Sequence, residues 1–150
     1  MITLESLFPP AHVLVLRPRD KAAALAELAK RAATLLGAAS RPIADALVAR
    51  ESLGSTGIGA GIALPHARLD TPQPFALFAR LERPIAWDAI DHAPVDLLFL
   101  LLSPDEPADQ RLKILSMVTR RLRDRSLAAA LRHAADELAL QTLLVRDQGA

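Results

Sequence analysis

The stretch Val95-Asp96-Leu97-Leu98-Phe99-Leu100-Leu101-Leu102 is apolar at every position but Asp96. A strand with one face in water alternates apolar and polar side chains, so a run without alternation belongs to a strand covered on both faces. The run is far too short to cross a bilayer. A doubly covered strand needs helical layers above and below it, and that requirement limits the chain to layered α/β folds.

The rest of the sequence supplies those layers. His12 to Leu16 reads as a first strand, after a short turn or helix ended by Pro9-Pro10. Asp20 is placed to cap a helix that carries Leu25, Leu28, Ala32, Leu35 and Leu36 at helical spacing and stops at Gly37. Ser40 is expected to cap a second helix, with Pro42 in its first turn, Ile43 and Leu47 on its apolar stripe and Gly54 at its end. Ile62–Leu64 and Phe75–Leu81 read as strands. Pro107 is expected to open a helix carrying Leu115, Val118 and Leu122. Helices around Leu127–Arg132 and Glu137–Leu143 follow, then a loose tail over Asp147–Ala150. The expected fold class is α/β, a small mixed β-sheet between helical layers, with residues 1–150 forming a single domain whose core spans about 4–145.

Composition narrows the function classes. Aromatics are only 3% of the chain, so the core is built from Leu, Ala, Val and Ile. A net charge of +1 gives no electrostatic case for nucleic acid. Without cysteine there is neither a disulfide framework nor a thiolate metal site. No charged segment followed by an apolar one marks a secretion signal, and no stretch spans a membrane, so a cytoplasmic location is expected.

Gly54-Ser55-Thr56-Gly57-Ile58-Gly59-Ala60-Gly61-Ile62-Ala63-Leu64-Pro65-His66 is the candidate site. Pro65 removes a ladder donor, so pairing is expected to finish there and leave His66 in a loop at the sheet edge. The glycines offer backbone N–H groups to an anion, and a neutral imidazole beside such a concavity suits phosphoryl transfer to nitrogen. A plain glycine-rich turn with a surface histidine is the alternative. Nucleotide motifs fit poorly: no lysine follows the glycines as in a P-loop, the spacing runs G-x-G-x-G, and the helix precedes rather than follows. His12, His66, His92 and His133 show no metal-ligand spacing, and no metal is expected. Arg50 falls seven residues after Ile43, near the apolar stripe of its helix, and needs a partner there. It is either a cation set against the helix C-terminus beside Glu51 or a guanidinium fork for a phosphoryl group.

With Arg50-Glu51 in front of it, the glycine segment resembles the active-site signature of phosphotransferase-system enzyme IIA domains of the fructose/mannitol class, and most of all their nitrogen-regulatory branch. The similarity continues through Trp87–Leu102 and Leu115–Leu122, covering roughly residues 4–145. The resemblance implies a phosphohistidine carrier. His66 is its phosphoryl acceptor, fed by a small phosphocarrier protein resembling HPr, and its phosphorylation state is read by regulatory target proteins. The resemblance also implies that Arg50 binds the phosphoryl group, with Arg68, Ser55 and Thr56 as further donors, and that no cofactor is needed. Alternatives within its reach are a sugar-transport IIA component handing phosphate to a separate IIB protein, and a binding-only adaptor with an unphosphorylated His66.

Two departures from the family pattern stand out. Ala67-Arg68 replaces the more usual Gly-Lys after the histidine. A second histidine usually opens the helix that corresponds to Gln110–Arg123, and ungapped alignment puts Arg111 in its place. Arg111, Leu115, Val118 and Leu122 share one stripe, so Arg111 either faces the site as a permanent charge or pairs locally with Asp105, Glu106 or Asp109. Arg120, Arg121, Arg123 and Arg125, balanced by Asp124, read as a solvated helix face.

Overall fold

The structure, a computed structural model, describes residues 2–105 and 108–146. Its elements in chain order are α1 (Leu4–Leu7), a 3₁₀ turn (Pro10–His12), β1 (Val13–Leu16), α2 (Lys21–Leu36), α3 (Ser40–Ser52), β2 (Gly57–Gly59), β3 (Ile62–Ala63), β4 (His66–Arg68), β5 (Phe75–Ile85), β6 (Val95–Ser103), α4 (Ala108–Leu122), α5 (Arg125–His133) and α6 (Glu137–Val145). The expected start of α4 at Pro107 and the expected tail Asp147–Ala150 lie outside the described residues.

The six strands form one mixed sheet in the order β1-β5-β6-β3-β2, with β4 also paired to β6. β1 runs parallel to β5, β5 antiparallel to β6, and β3 and β4 both parallel to β6. β6 is therefore flanked on both edges, and its side chains divide between two cores. Leu98, Leu100 and Leu102 pack with Leu25, Leu28, Ile43 and Leu47 of α2 and α3. Leu97, Phe99 and Leu101 pack with Ile114, Val118, Leu131 and Leu140 of α4, α5 and α6. The unbroken apolar run is the signature of this double burial.

Helix boundaries follow local chemistry. Asp20, Asp124 and Asp136 each accept a hydrogen bond from the third N–H of the helix they precede, and Gly37 ends α2 at φ +67°. Ser40 is not a cap. The cap position of α3 is Ala39, without a side-chain bond, and Ser40 is already helical, because Gly37 turns the chain into α3 within three residues.

The segment after α3 departs further from expectation. The glycines do not form an open loop: Gly57–Gly59 is a strand paired antiparallel with β3. Nor does pairing finish at Pro65. The proline lacks an N–H, but its carbonyl accepts from Leu101 N at 3.0 Å, and the ladder resumes with His66 opposite Leu101. β3 and β4 thus form one interrupted lane along β6, and the interruption sets His66 at the start of its second half. His66 is a strand residue, not a loop residue.

Candidate functional site

A cleft of about 530 Å³ opens where the last turn of α3, strand β4 and the first turns of α4 meet, lined by Ala46, Ala49, Arg50, Leu53, His66, Ala67, Arg68 and Arg111. Of the residues proposed from sequence, His66, Arg50, Arg111 and Arg68 therefore come together.

His66 is half-buried and oriented from both sides of its ring. Nδ1 lies 2.9 Å from the Leu64 carbonyl. A carbonyl only accepts, so Nδ1 carries the proton and Nε2 presents a lone pair. Facing that lone pair, Arg50 Nε donates across 3.3 Å, while Arg50 Nη1 donates to the Gly54 carbonyl at 2.8 Å. The imidazole pKa is held below its ordinary value. Burial is the main cause, and Arg50 and Arg111 add to it against the opposing pull of the Leu64 bond and of Glu51. The resting ring is neutral at pH 7.

Arg111 lies in the first turns of α4, and its Nη1 is buried without a hydrogen-bond partner among the described residues. The local pair open to it through Asp105 is taken by another cation, since Asp105 sits 2.9 Å from Arg68 Nε. Glu106 lies outside the described residues, and Asp109 makes no ion pair within them. Arg111 thus brings a cation to the cleft whose Nη1 has no hydrogen-bond partner among the described residues. Arg68 is largely exposed and stands at the rim through its pair with Asp105.

Ser55 and Thr56 are not brought to the cleft. Ser55 Oγ donates to the Trp87 carbonyl at 2.7 Å and accepts from Gly57 N. Thr56, only 5% exposed, donates its hydroxyl to Glu51 Oε2 and accepts from Trp87 Nε1 at 3.2 Å. Both hydroxyls are committed to the interior. The glycine run forms no anion cradle either: Gly57, Gly59 and Gly61 line no part of the cleft. Gly57 instead lies so close to Ala89 that an added Cβ would stand 2.7 Å from the alanine Cβ. Near Gly61, the guanidinium of Arg132 bonds Asp96 and the Ala60 carbonyl.

Sequence reasoning missed the network behind Arg50. Glu51, with its side chain 6% exposed, accepts from Lys21 Nζ at 2.8 Å and from Thr56 N at 3.1 Å. Lys21 also donates to the Trp87 carbonyl and lies 5.1 Å from the centre of the indole ring. A readable signal existed: a lysine in the first turn of α2 opposes the helix dipole and therefore implies an anionic partner elsewhere.

The basic cluster and the other histidines line no part of the cleft. Of the basic cluster on α4 and α5, Arg120, Arg123 and Arg125 are exposed as expected. Arg121 turns inward and donates to the carbonyls of Leu143, Leu144 and Arg146 at the end of α6. His12 bonds the Ala76 carbonyl and rests against Phe75, and His133 is exposed. Among the described residues no group of His, Asp or Glu could hold a metal, and no helix is long and apolar enough to cross a membrane.

Comparison with known proteins shows what the chain is similar to. The family model described as "Phosphoenolpyruvate-dependent sugar phosphotransferase system, EIIA 2" matches residues 6–146. A nitrogen regulatory protein of Bradyrhizobium diazoefficiens is 42% identical over 137 residues, 91% of this chain and 90% of its own length. The crystal structure of nitrogen regulatory protein IIA-Ntr from Neisseria meningitidis superposes with a TM-score of 0.88 at 27% identity, covering 94% of this chain and 98% of that one. IIA mannitol from Escherichia coli shares the fold, with a TM-score of 0.76 at 16% identity over 91% of this chain and 98% of its own.

Proposed function

The chain belongs to the EIIA 2 family of the phosphoenolpyruvate-dependent sugar phosphotransferase system, in its nitrogen-regulatory type, and we propose that it works by accepting a phosphoryl group on His66 Nε2 from a small phosphocarrier resembling HPr. One observation carries the reading: an unprotonated Nε2, its tautomer fixed by Leu64, accepts from Arg50 Nε in a cleft that Arg111 also lines, with Arg111 Nη1 buried without a partner among the described residues.

The chemistry follows from that arrangement. Arg50 Nε gives up the Nε2 lone pair, which attacks phosphorus as the bond from phosphorus to the donor nitrogen breaks, and the donor imidazole leaves with the electron pair. Because Nδ1 keeps its proton throughout, phosphorylated His66 has positive character in the ring, which its bond to the Leu64 carbonyl stabilises. Charge on the equatorial oxygens is met by Arg50 and Arg111, with Arg68 at the rim releasing Asp105 to join them. No cofactor takes part. The transfer adds close to two negative charges to one surface, enough to change which protein docks there. Regulatory targets that distinguish the two forms are the output.

The test is direct. The purified chain is incubated with the general phosphotransferase enzymes and phosphoenolpyruvate, and its mass is measured. A gain of one acid-labile phosphoryl group, absent in His66→Ala, is the expected result. An unlabelled wild-type chain would leave a binding-only adaptor as the better reading.

A further inference from the structure

We propose that Glu51 is a positioning residue for this site: clamped by Lys21 and Thr56, its carboxylate fixes the 53–56 loop so that the Gly54 carbonyl aims Arg50 at His66. Glu51 lines no part of the cleft, and nothing in the reaction calls for a carboxylate there. It nevertheless holds both ends of the loop beside Arg50. Its main-chain carbonyl accepts from Gly54 N at 3.1 Å, and its side chain accepts from Thr56 N at 3.1 Å and from the Thr56 hydroxyl. Gly54, itself the first anchor, adopts φ +151°, a conformation open to glycine, and its carbonyl, between the two anchors, takes Arg50 Nη1 at 2.8 Å. With Nη1 fixed, the planar guanidinium has little freedom to turn, and Nε meets His66 Nε2.

The clamp is itself held. Lys21 neutralises the buried carboxylate from the start of α2, and Trp87 Nε1 donates to the Thr56 hydroxyl so that this hydroxyl's own proton goes to Glu51. Three segments distant in sequence, Lys21, 51–56 and Trp87, thus converge on the geometry of a single guanidinium. Only the second readout below rests on the reading of His66 as phosphoryl acceptor.

Glu51→Gln keeps an acceptor but removes the charge that binds Lys21 and the second acceptor oxygen. Thr56→Val keeps the shape and deletes the hydroxyl link, and it serves as the milder variant if Glu51→Gln folds poorly. The first readout is the titration of the His66 ring in the unphosphorylated protein, followed by NMR. The charged groups around the ring are Arg50 on α3, Arg111 on α4, Arg68 at the rim and Glu51 behind. Direct loss of the Glu51 charge lowers the His66 pKa further, whereas release of Arg50 raises it. Positioning predicts a rise, since Arg50 is the stronger influence of the two.

The second readout is the phosphorylation rate. Glu51→Gln is expected to slow labelling by about tenfold to a hundredfold, the scale of a misplacement of about 1 Å. In an Arg50→Ala background it is expected to slow labelling no further, because the two residues act as one unit. A fall in the His66 pKa, or fully additive slowing, overturns the proposal. If no protein in the set gains a phosphoryl group, the phosphorylation reading fails, and the NMR titration alone still decides the role of Glu51.

Discussion

Arg50 Nε meets His66 Nε2 across 3.3 Å, a donor facing a lone pair. Such a contact exists only while the imidazole nitrogen is unprotonated, so a cation and a titratable base are held together in the one protonation state that suits a nucleophile. Burial is the main cause of the ring's lowered pKa, and this guanidinium adds to it from the side on which a phosphoryl group would bond Nε2.

Protonation of His66 couples to stability with a definite sign. Burial chiefly, and then Arg50 and Arg111, set the folded pKa below that of the unfolded chain, which is about 6.5. Between those two values the unfolded chain binds a proton that the native protein refuses. The contribution of neutral His66 is full above the unfolded pKa and is lost as pH falls towards the folded one. Urea midpoints measured from pH 8 down to 5 should drop for the wild type more than for His66→Gln. Parallel curves would mean that the ring is not held neutral.

Removing Arg50 tests whether it serves the reaction or the fold. Arg50→Ala should slow phosphorylation by about a hundredfold, as loss of one preorganised charge donor does in other sites. Stability should change less, because the bond to Gly54 lies at an exposed helix end. Arg50→Lys should recover only part of the rate, since an ammonium cannot bind Gly54 and the phosphoryl group in one plane. Labelling rates and urea midpoints of the three proteins decide it, and a variant that mainly unfolds makes Arg50 structural.

Much of this was legible in the chain. The unalternating run at 95–102 required a doubly covered strand, and Asp20 and Gly37 marked the ends of α2 through local backbone chemistry. Arg50 and Arg111 were traceable because helical spacing carried each onto an inward stripe. Ser55 and Thr56 lie away from the cleft because a hydroxyl ten or eleven residues before a histidine has no preference for it in space. Their partners, Glu51 and Trp87, are set by tertiary packing. The glycines misled for a similar reason: they read as an open loop, but Gly57 is small because Ala89 lies against it. The resumed ladder at His66 depended on the carbonyl of Pro65, which a rule about missing donors ignores.

That account of Gly57 has its own test. An alanine Cβ there would lie 2.7 Å from Ala89 Cβ and 2.9 Å from Ala89 Cα, and backbone cannot swing aside. Gly57→Ala should destabilise by about 1–3 kcal/mol through overpacking. Gly37→Ala meets nothing within 4 Å and bears only the strain of φ +67°, about 1–2 kcal/mol. Denaturant midpoints should fall in both. Gly57→Ala should also disturb the Trp87 fluorescence, since Ala89 follows the indole by two residues, whereas Gly37→Ala should not.

Arg111 offers the sharpest test of the departure expected from the family pattern. A guanidinium cannot give up its proton in a protein, whereas an imidazole titrates near 6.5 when unshifted. If Arg111 Nη1, unpartnered among the described residues, holds the phosphoryl group, phosphorylated His66 should decay with a shallower pH dependence in the wild type than in Arg111→His. Arg111→Ala should shorten the phosphohistidine lifetime at every pH, because the group loses a charged donor while His66, Leu64 and Arg50 remain. The effect should exceed that of Arg68→Ala, since Arg68 is exposed and shared with Asp105, and solvent screens what it contributes. The measurement is the decay of the purified phosphoproteins at several pH values. Superimposable curves for the wild type, Arg111→His and Arg111→Ala would show that the guanidinium does not reach the phosphoryl group, and its buried nitrogen would then need a different anion.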